Sequence, residues 1–155
     1  MREVQIDVPP PLYRHVDPDG TLPALAACAP FRAVIVADVP VTPAQQSRIS
    51  DWLVAADCLY AMAWGIDASS WDDAVDWSVL ERFNYGDIPK RSFVLTTWHD
   101  DETLSEVFDF ALRLASHEVE PLDELIVIHV AAEADPDRIH AAFRAALPPE
   151  FKEHP

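Results

Sequence analysis

The sequence predicts an α/β fold: a small doubly wound, mainly parallel sheet of four strands with helices on both faces. Three observations predict it. Four apolar runs of strand length alternate with four segments whose apolar residues recur at helical spacing. The runs are apolar throughout, as strands covered on both faces are. The 155 residues, 50% of them hydrophobic, suffice for one domain with its own core.

Residues 1–30 read as a proline-rich lead-in. Val4, Ile6 and Val8 alternate with Glu3, Gln5 and Asp7, the period of a short edge strand. Pro9, Pro10, Pro11, Pro18, Pro23 and Pro30 then stiffen an extended segment. The domain proper spans residues 31–148, and 149–155 form a tail.

Phe31 to Asp38 is the first strand, bounded by Pro30 and Pro40. Thr42-Pro43-Ala44-Gln45 is a helix start, with Thr42 as N-cap, proline first and Gln45 closing the box. Ile49, Trp52, Leu53 and Ala56 follow as its inner stripe. Cys58 to Trp64 is the second strand, ending at Gly65. Ser70-Trp71-Asp72-Asp73 repeats the capping pattern, with Val75, Val79, Leu80 and Phe83 behind it. Asn84 to Pro89 is turn chemistry. Ser92 to Trp98 is the third strand, and Leu104, Val107, Phe108, Ala111 and Ala115 mark the next helix. Glu124 to Ala131 is the fourth strand. Asp135-Pro136 opens a last helix, which Pro148-Pro149 stops. Right-handed crossovers leave few topologies, and strand order 2-1-3-4 is the expectation.

Composition excludes several functions. Eleven Lys and Arg against 27 Asp and Glu give a net charge of −16, a field that repels nucleic acid and anionic membranes. Three glycines, far apart, make neither a P-loop nor a dinucleotide fingerprint. No apolar run approaches the roughly 20 residues that cross a bilayer. The N-terminus lacks the apolar region of a secretory signal. Two cysteines, Cys28 and Cys58, are too few for a disulfide framework and read as buried thiols. Together these features point to a cytoplasmic protein.

In such sheets ligands bind at the carboxyl ends of the strands. Asp38 follows the first strand. Gly65, Asp67, Ser69, Ser70, Trp71, Asp72 and Asp73 follow the second. Thr97, Trp98, His99, Asp100, Asp101 and Glu102 close the third, and His129, Glu133 and Asp135 the fourth. Two readings compete. In the first, Asp38, Asp67, His99 and Asp100 converge. Asp67, His99 and Asp100 then ligate a hard or borderline divalent metal, or His99 acts as general base beside Asp38 and Asp100. In the second, acids such as Asp72, Asp73, Asp101 and Glu102 merely cap helices and complement their dipoles. No HExxH or CxxC spacing supports a metal.

The candidate ligand or partner surface is Trp64, Asp67, Ser70, Trp71, Asp72, Trp98, His99 and Asp100. Aromatics beside acids suit a binding hot spot, and equally the closing of a small core. Trp77 faces away from its helix's apolar stripe. His129, inside an apolar strand, reads first as a core histidine and second as a site residue. His117 suits a helix C-terminus. Ser69 and Ser70 lack a GxSxG setting. A receiver-domain reading fails, since Thr97-Trp98-His99 holds no phospho-accepting aspartate.

The blocks Ala63-Trp64-Gly65-Ile66-Asp67, Ser70-Trp71-Asp72-Asp73, Asn84-Tyr85-Gly86-Asp87-Ile88-Pro89 and Thr96-Thr97-Trp98-His99 resemble a small bacterial family known only as a domain of unknown function. The resemblance covers about residues 20–131. It implies a bacterial source and a stand-alone small protein, and no activity. The chain departs from the family at Glu106 to Leu112, where an aromatic-rich segment is expected.

Three functions follow. The leading expectation is a non-enzymatic acidic module that binds a basic protein partner, an immunity- or antitoxin-like role being one version. The second is a metal-dependent or acid–base enzyme on a small polar substrate. The third is a homodimeric accessory subunit. No cofactor is expected under the first, a divalent metal under the second. The protein is expected to be a monomer or homodimer.

Overall fold

The computed structural model describes residues 8–25 and 29–149. Its elements are β1 (Leu12–Val16), β2 (Phe31–Ala37), α1 (Pro43–Ala55), β3 (Cys58–Gly65), α2 (Ala68–Arg82), β4 (Leu95–His99), α3 (Leu104–Arg113), β5 (Glu124–Val130) and α4 (Pro136–Ala146). The sheet is parallel throughout, as expected, but has five strands in the order β1-β5-β2-β3-β4.

Two corrections follow. The expected order put the third strand inside; β4 is instead at the edge, and β5 lies beside β2. The reason is polarity. β2 and β5 read FRAVIVA and ELIVIHV and are buried on both faces, whereas β4 reads LTTWH and is largely accessible. A strand with two threonines costs least where one side meets water. The fifth strand, β1, comes from the proline-rich lead-in. The alternating segment expected around Val4 and Ile6 lies outside the described residues. Prolines flank β1 without interrupting it, which an edge strand tolerates.

Helices cover both faces. On one face, Ile49, Leu53 and Val54 of α1 and Trp71, Val75 and Val79 of α2 pack on Ala33, Ile35, Ala61, Ala63, Ile126 and Ile128. On the other, Val107, Phe108 and Ala111 of α3 and Ile139 and Phe143 of α4 pack on Val34, Val36, Met62 and Val127. These sets alternate along each strand, as a period of two requires.

Local signals set most helix ends. Thr42 and Gln45 form the expected capping box: Gln45 N–H donates to Thr42 Oγ1 at 3.1 Å, and Thr42 N–H to Gln45 Oε1 at 2.8 Å. Asp135 caps α4, with Pro136 first. α2 departs from expectation. Its N-cap is Asp67, held in the left-handed region, and its first turn contains no acid. Ser70 therefore sits inside the helix, its hydroxyl donating to Asp67 O at 2.8 Å. β4 also begins late, because a 3-10 turn occupies Lys90–Ser92. Gly65 closes β3 at φ +103°; a Cβ there would lie 2.3 Å from Ala37 O, so only glycine fits. Among the described residues no helix is long and apolar enough to cross a membrane.

Candidate functional site

The chain leaves β2 for a helix on one face and β5 for a helix on the other. The topological switch point is therefore between these two strands, where a ligand crevice is expected. Asp38 continues from the end of β2, and His129 is the penultimate residue of β5. His129 is 1% exposed. Its Nε2 lies 2.6 Å from Asp38 Oδ2 and its Nδ1 2.5 Å from the Tyr13 hydroxyl on β1. A carboxylate only accepts, so Nε2 carries a proton. Nδ1 then accepts from Tyr13, whose oxygen accepts Asp135 N–H at 2.9 Å. Burial raises the Tyr13 pKa and keeps this hydroxyl protonated. Arg138 of α4 pairs with the same Asp38 oxygen. One network thus joins β1, β2, β5 and α4, and both ring nitrogens of His129 are satisfied.

The second end of the sheet is arranged differently. His99, on β4, is buried, with Nδ1 3.0 Å from Glu102 Oε2 and Nε2 2.9 Å from Thr97 Oγ1. The Phe110 ring packs edge-on against it at 4.9 Å between centroids. Trp64 Nε1 donates to Glu102 O at 2.8 Å. These contacts fasten the start of α3 to the sheet edge and leave His99 no free nitrogen to act as a base. Trp98 beside it is 52% exposed, and Leu95 44%.

On α2, Asp72, Asp73 and Asp76 bring carboxylate oxygens within 4.8 Å of one another. Asp72 is 8% exposed, and its Oδ1 is sealed from solvent without a hydrogen-bond partner. Thr96 of β4 donates its one hydroxyl proton to Asp76 Oδ1 at 3.0 Å. Burial raises the pKa of both Asp72 and Asp76.

The expected site residues are thus divided. Asp67, His99 and Asp100 form no metal-ligand group, and Asp38 joins them in none; the only such group among the described residues is the α2 trio. The strand order explains this, because β3 separates β2 from β4. Trp71 is a core residue at 1% exposure and cannot bind a partner. Trp64 and His99 meet through Glu102. Ser70 Oγ accepts from Gln46 Nε2 at 3.0 Å, which ties α1 to α2. Trp98 and Asp100 stand exposed at the β4 end, as a binding role requires. Trp77 is exposed too, its ring edge-on to Tyr85. Cys58 is buried, its thiol pushed up to about 12, which makes it a poor nucleophile. His117 is a loop residue rather than a helix end; its Nε2 donates to Phe93 O at 2.8 Å. Cys28 lies outside the described residues.

Tyr13, Arg138 and Asp76 did not stand out in the sequence, and Thr96 did so only as part of the Thr96-Thr97-Trp98-His99 block. His129 and Asp38 carried a signal, since each follows or ends an apolar strand. Pairing them needs the observed strand order.

The model of a family described as a domain of unknown function, DUF7684, matches residues 12–146. The chain belongs to this family. The match includes all five strands and all four helices. No curated protein matches the sequence. One solved structure, described as that of "an hypothetical protein", aligns at 9% identity with a TM-score of 0.37. The alignment covers 65% of this chain and 61% of that one, and so loose a likeness carries no argument about fold or function.

Proposed function

We propose that this family member is a non-enzymatic binding module that takes a basic segment of a partner protein along its β4 edge. The carrying observation is that, among the described residues, β4 pairs only with β3 and presents Leu95 and Trp98 to solvent. An open edge offers backbone groups to an added strand, and exposed side chains on it select the occupant. Asp100, Asp101 and Glu102, all exposed, follow Trp98 after the buried His99. A lysine or arginine of the partner would meet these carboxylates and the face of the Trp98 indole. The net charge of −16 steers such a partner from a distance. His99 supports this reading from beneath, because its bonds to Glu102 and Thr97 hold the edge in place.

The enzyme reading has less support. The His129 network is closed on itself. Cavities of about 390 and 210 Å³ are lined by residues such as Pro11, Arg32 and Phe143, or Pro30, Cys58 and Arg82, toward the amino ends of β2 and β3 and away from His129.

The test is selection from a displayed library of short random peptides, followed by titration of the enriched ones. Enriched peptides should be basic with alternating apolar residues. Their binding should weaken as salt rises and be lost in Trp98→Glu. Enrichment of neutral or acidic peptides, or binding that survives Trp98→Glu, would overturn the proposal.

A further inference from the structure

We infer that Asp72, Asp73 and Asp76 of α2 form a binding site for a hard divalent cation, with the Thr96 hydroxyl of β4 beside it. Asp72 and Asp76 are four residues apart and lie on one face of the helix, and Asp73 flanks them. Their oxygens already lie within 4.8 Å of one another.

Two ordinary explanations for such acids do not hold here. Helix capping fails, because α2 begins at Ala68 and its first turn has no acid. Ion pairing fails as well: among the described residues, none of the three makes a salt bridge. Three like charges therefore stand together with no cation to offset them.

The independent sign of a ligand is Asp72. It is more than nine-tenths buried, and one carboxylate oxygen has neither solvent nor a donor. A buried charged acceptor left unpaired is costly. The Thr96 hydroxyl also lies near Asp72, but it has one proton for two carboxylates, and that proton points to Asp76 at 3.0 Å. A cation among the three carboxylates satisfies that oxygen and removes the repulsion together.

The donor set fixes the class of ion. All available ligands are oxygens, which excludes soft metals. Three carboxylates on one helix cannot surround an ion, so water fills the remaining positions. That favours Mg²⁺ or Mn²⁺, which keep several waters, over an all-protein Ca²⁺ cage. The site is independent of the peptide-binding proposal. One ion offsets two of sixteen negative charges, and the acids after Trp98 are untouched.

The experiment is paramagnetic NMR on the full chain. Substoichiometric Mn²⁺ should first broaden the amide signals of residues 72–79 and Thr96, and excess Mg²⁺ should restore them. In Asp73→Asn and Asp76→Asn, both at accessible residues, the apparent affinity should fall roughly ten-fold or more as anionic ligands are lost. Their melting in chelator should match the parent. Asp100→Asn should behave as the parent does. Broadening that begins elsewhere, or spreads evenly over the acidic surface, would overturn the site. So would selective broadening that survives both substitutions.

Discussion

At the β1–β5–β2 end of the sheet, both ring nitrogens of His129 are bonded and its carboxylate partner is shared with an arginine. At the β4 end, a buried oxygen of Asp72 has no partner and Trp98 stands half in solvent. The two ends have similar chemistry: histidine, aspartate and an aromatic ring. They differ in closure. A closed network rigidifies the strands it joins and has little left to offer a ligand. An open set of donors, acceptors and apolar surface has its binding capacity unspent. Histidine and aspartate at strand ends are therefore not by themselves a site, and the unspent valence locates one.

The largest effect should come from opening the closed end. His129→Ala should cost about 3 kcal/mol of stability, from the cavity and from the hydrogen bond that Asp38 and Tyr13 each lose. Urea denaturation measures it. Peptide binding at β4 should be unchanged in the same variant, and a parallel loss of both would erase the distinction between the ends. Trp98→Ala should do the reverse. Its stability should stay within about 0.5 kcal/mol of the parent, as for exposed positions. Its affinity for selected basic peptides should fall roughly ten-fold, as for a central aromatic anchor. Tyr13→Phe sharpens the first result. It leaves the ring in place and should cost about 1–2 kcal/mol for the two hydrogen bonds the hydroxyl makes, to His129 Nδ1 and from Asp135 N–H.

The smallest effect is a pH dependence. Burial raises the Tyr13 pKa above its ordinary 10.0 in the folded chain. The folded state therefore holds this proton more tightly than the unfolded state. The resulting stability is fully present below pH 10 and is lost as pH rises from there through the raised value. Tyr13→Phe should blunt that alkaline loss. Tyr60, also raised by burial, should leave part of it in place. Urea midpoints from neutral to alkaline pH measure the difference.

Much of the fold was legible in the residues. Thr42 and Gln45, or Asp135 and Pro136, specify a helix start through bonds that span three residues. Three of the four apolar runs announced buried parallel strands for the same local reason, whereas the third, Ser92 to Trp98, became the accessible edge strand β4. The start of α2 was misread, because Ser70 imitates an N-cap while the chain turns earlier through a left-handed Asp67. The lead-in hid β1, since Leu12 to Val16 has two apolar ends around polar residues and is surrounded by prolines. The candidate site was legible only in composition. Asp38 and His129 were visible, but 91 residues separate them in sequence.

The sequence by itself determined the class of fold, the starts of α1 and α4, the acidity and the absence of glycine-rich phosphate loops. Each depends on composition or on residues within one turn of each other. Only the tertiary structure decided strand order, and with it which acids meet which histidines. Strand order follows from how much polar surface each strand can leave in water once all five compete for the centre. That competition moved β4 to the edge and exposed Trp98. It also brought β5 against β2, and so closed Asp38 onto His129.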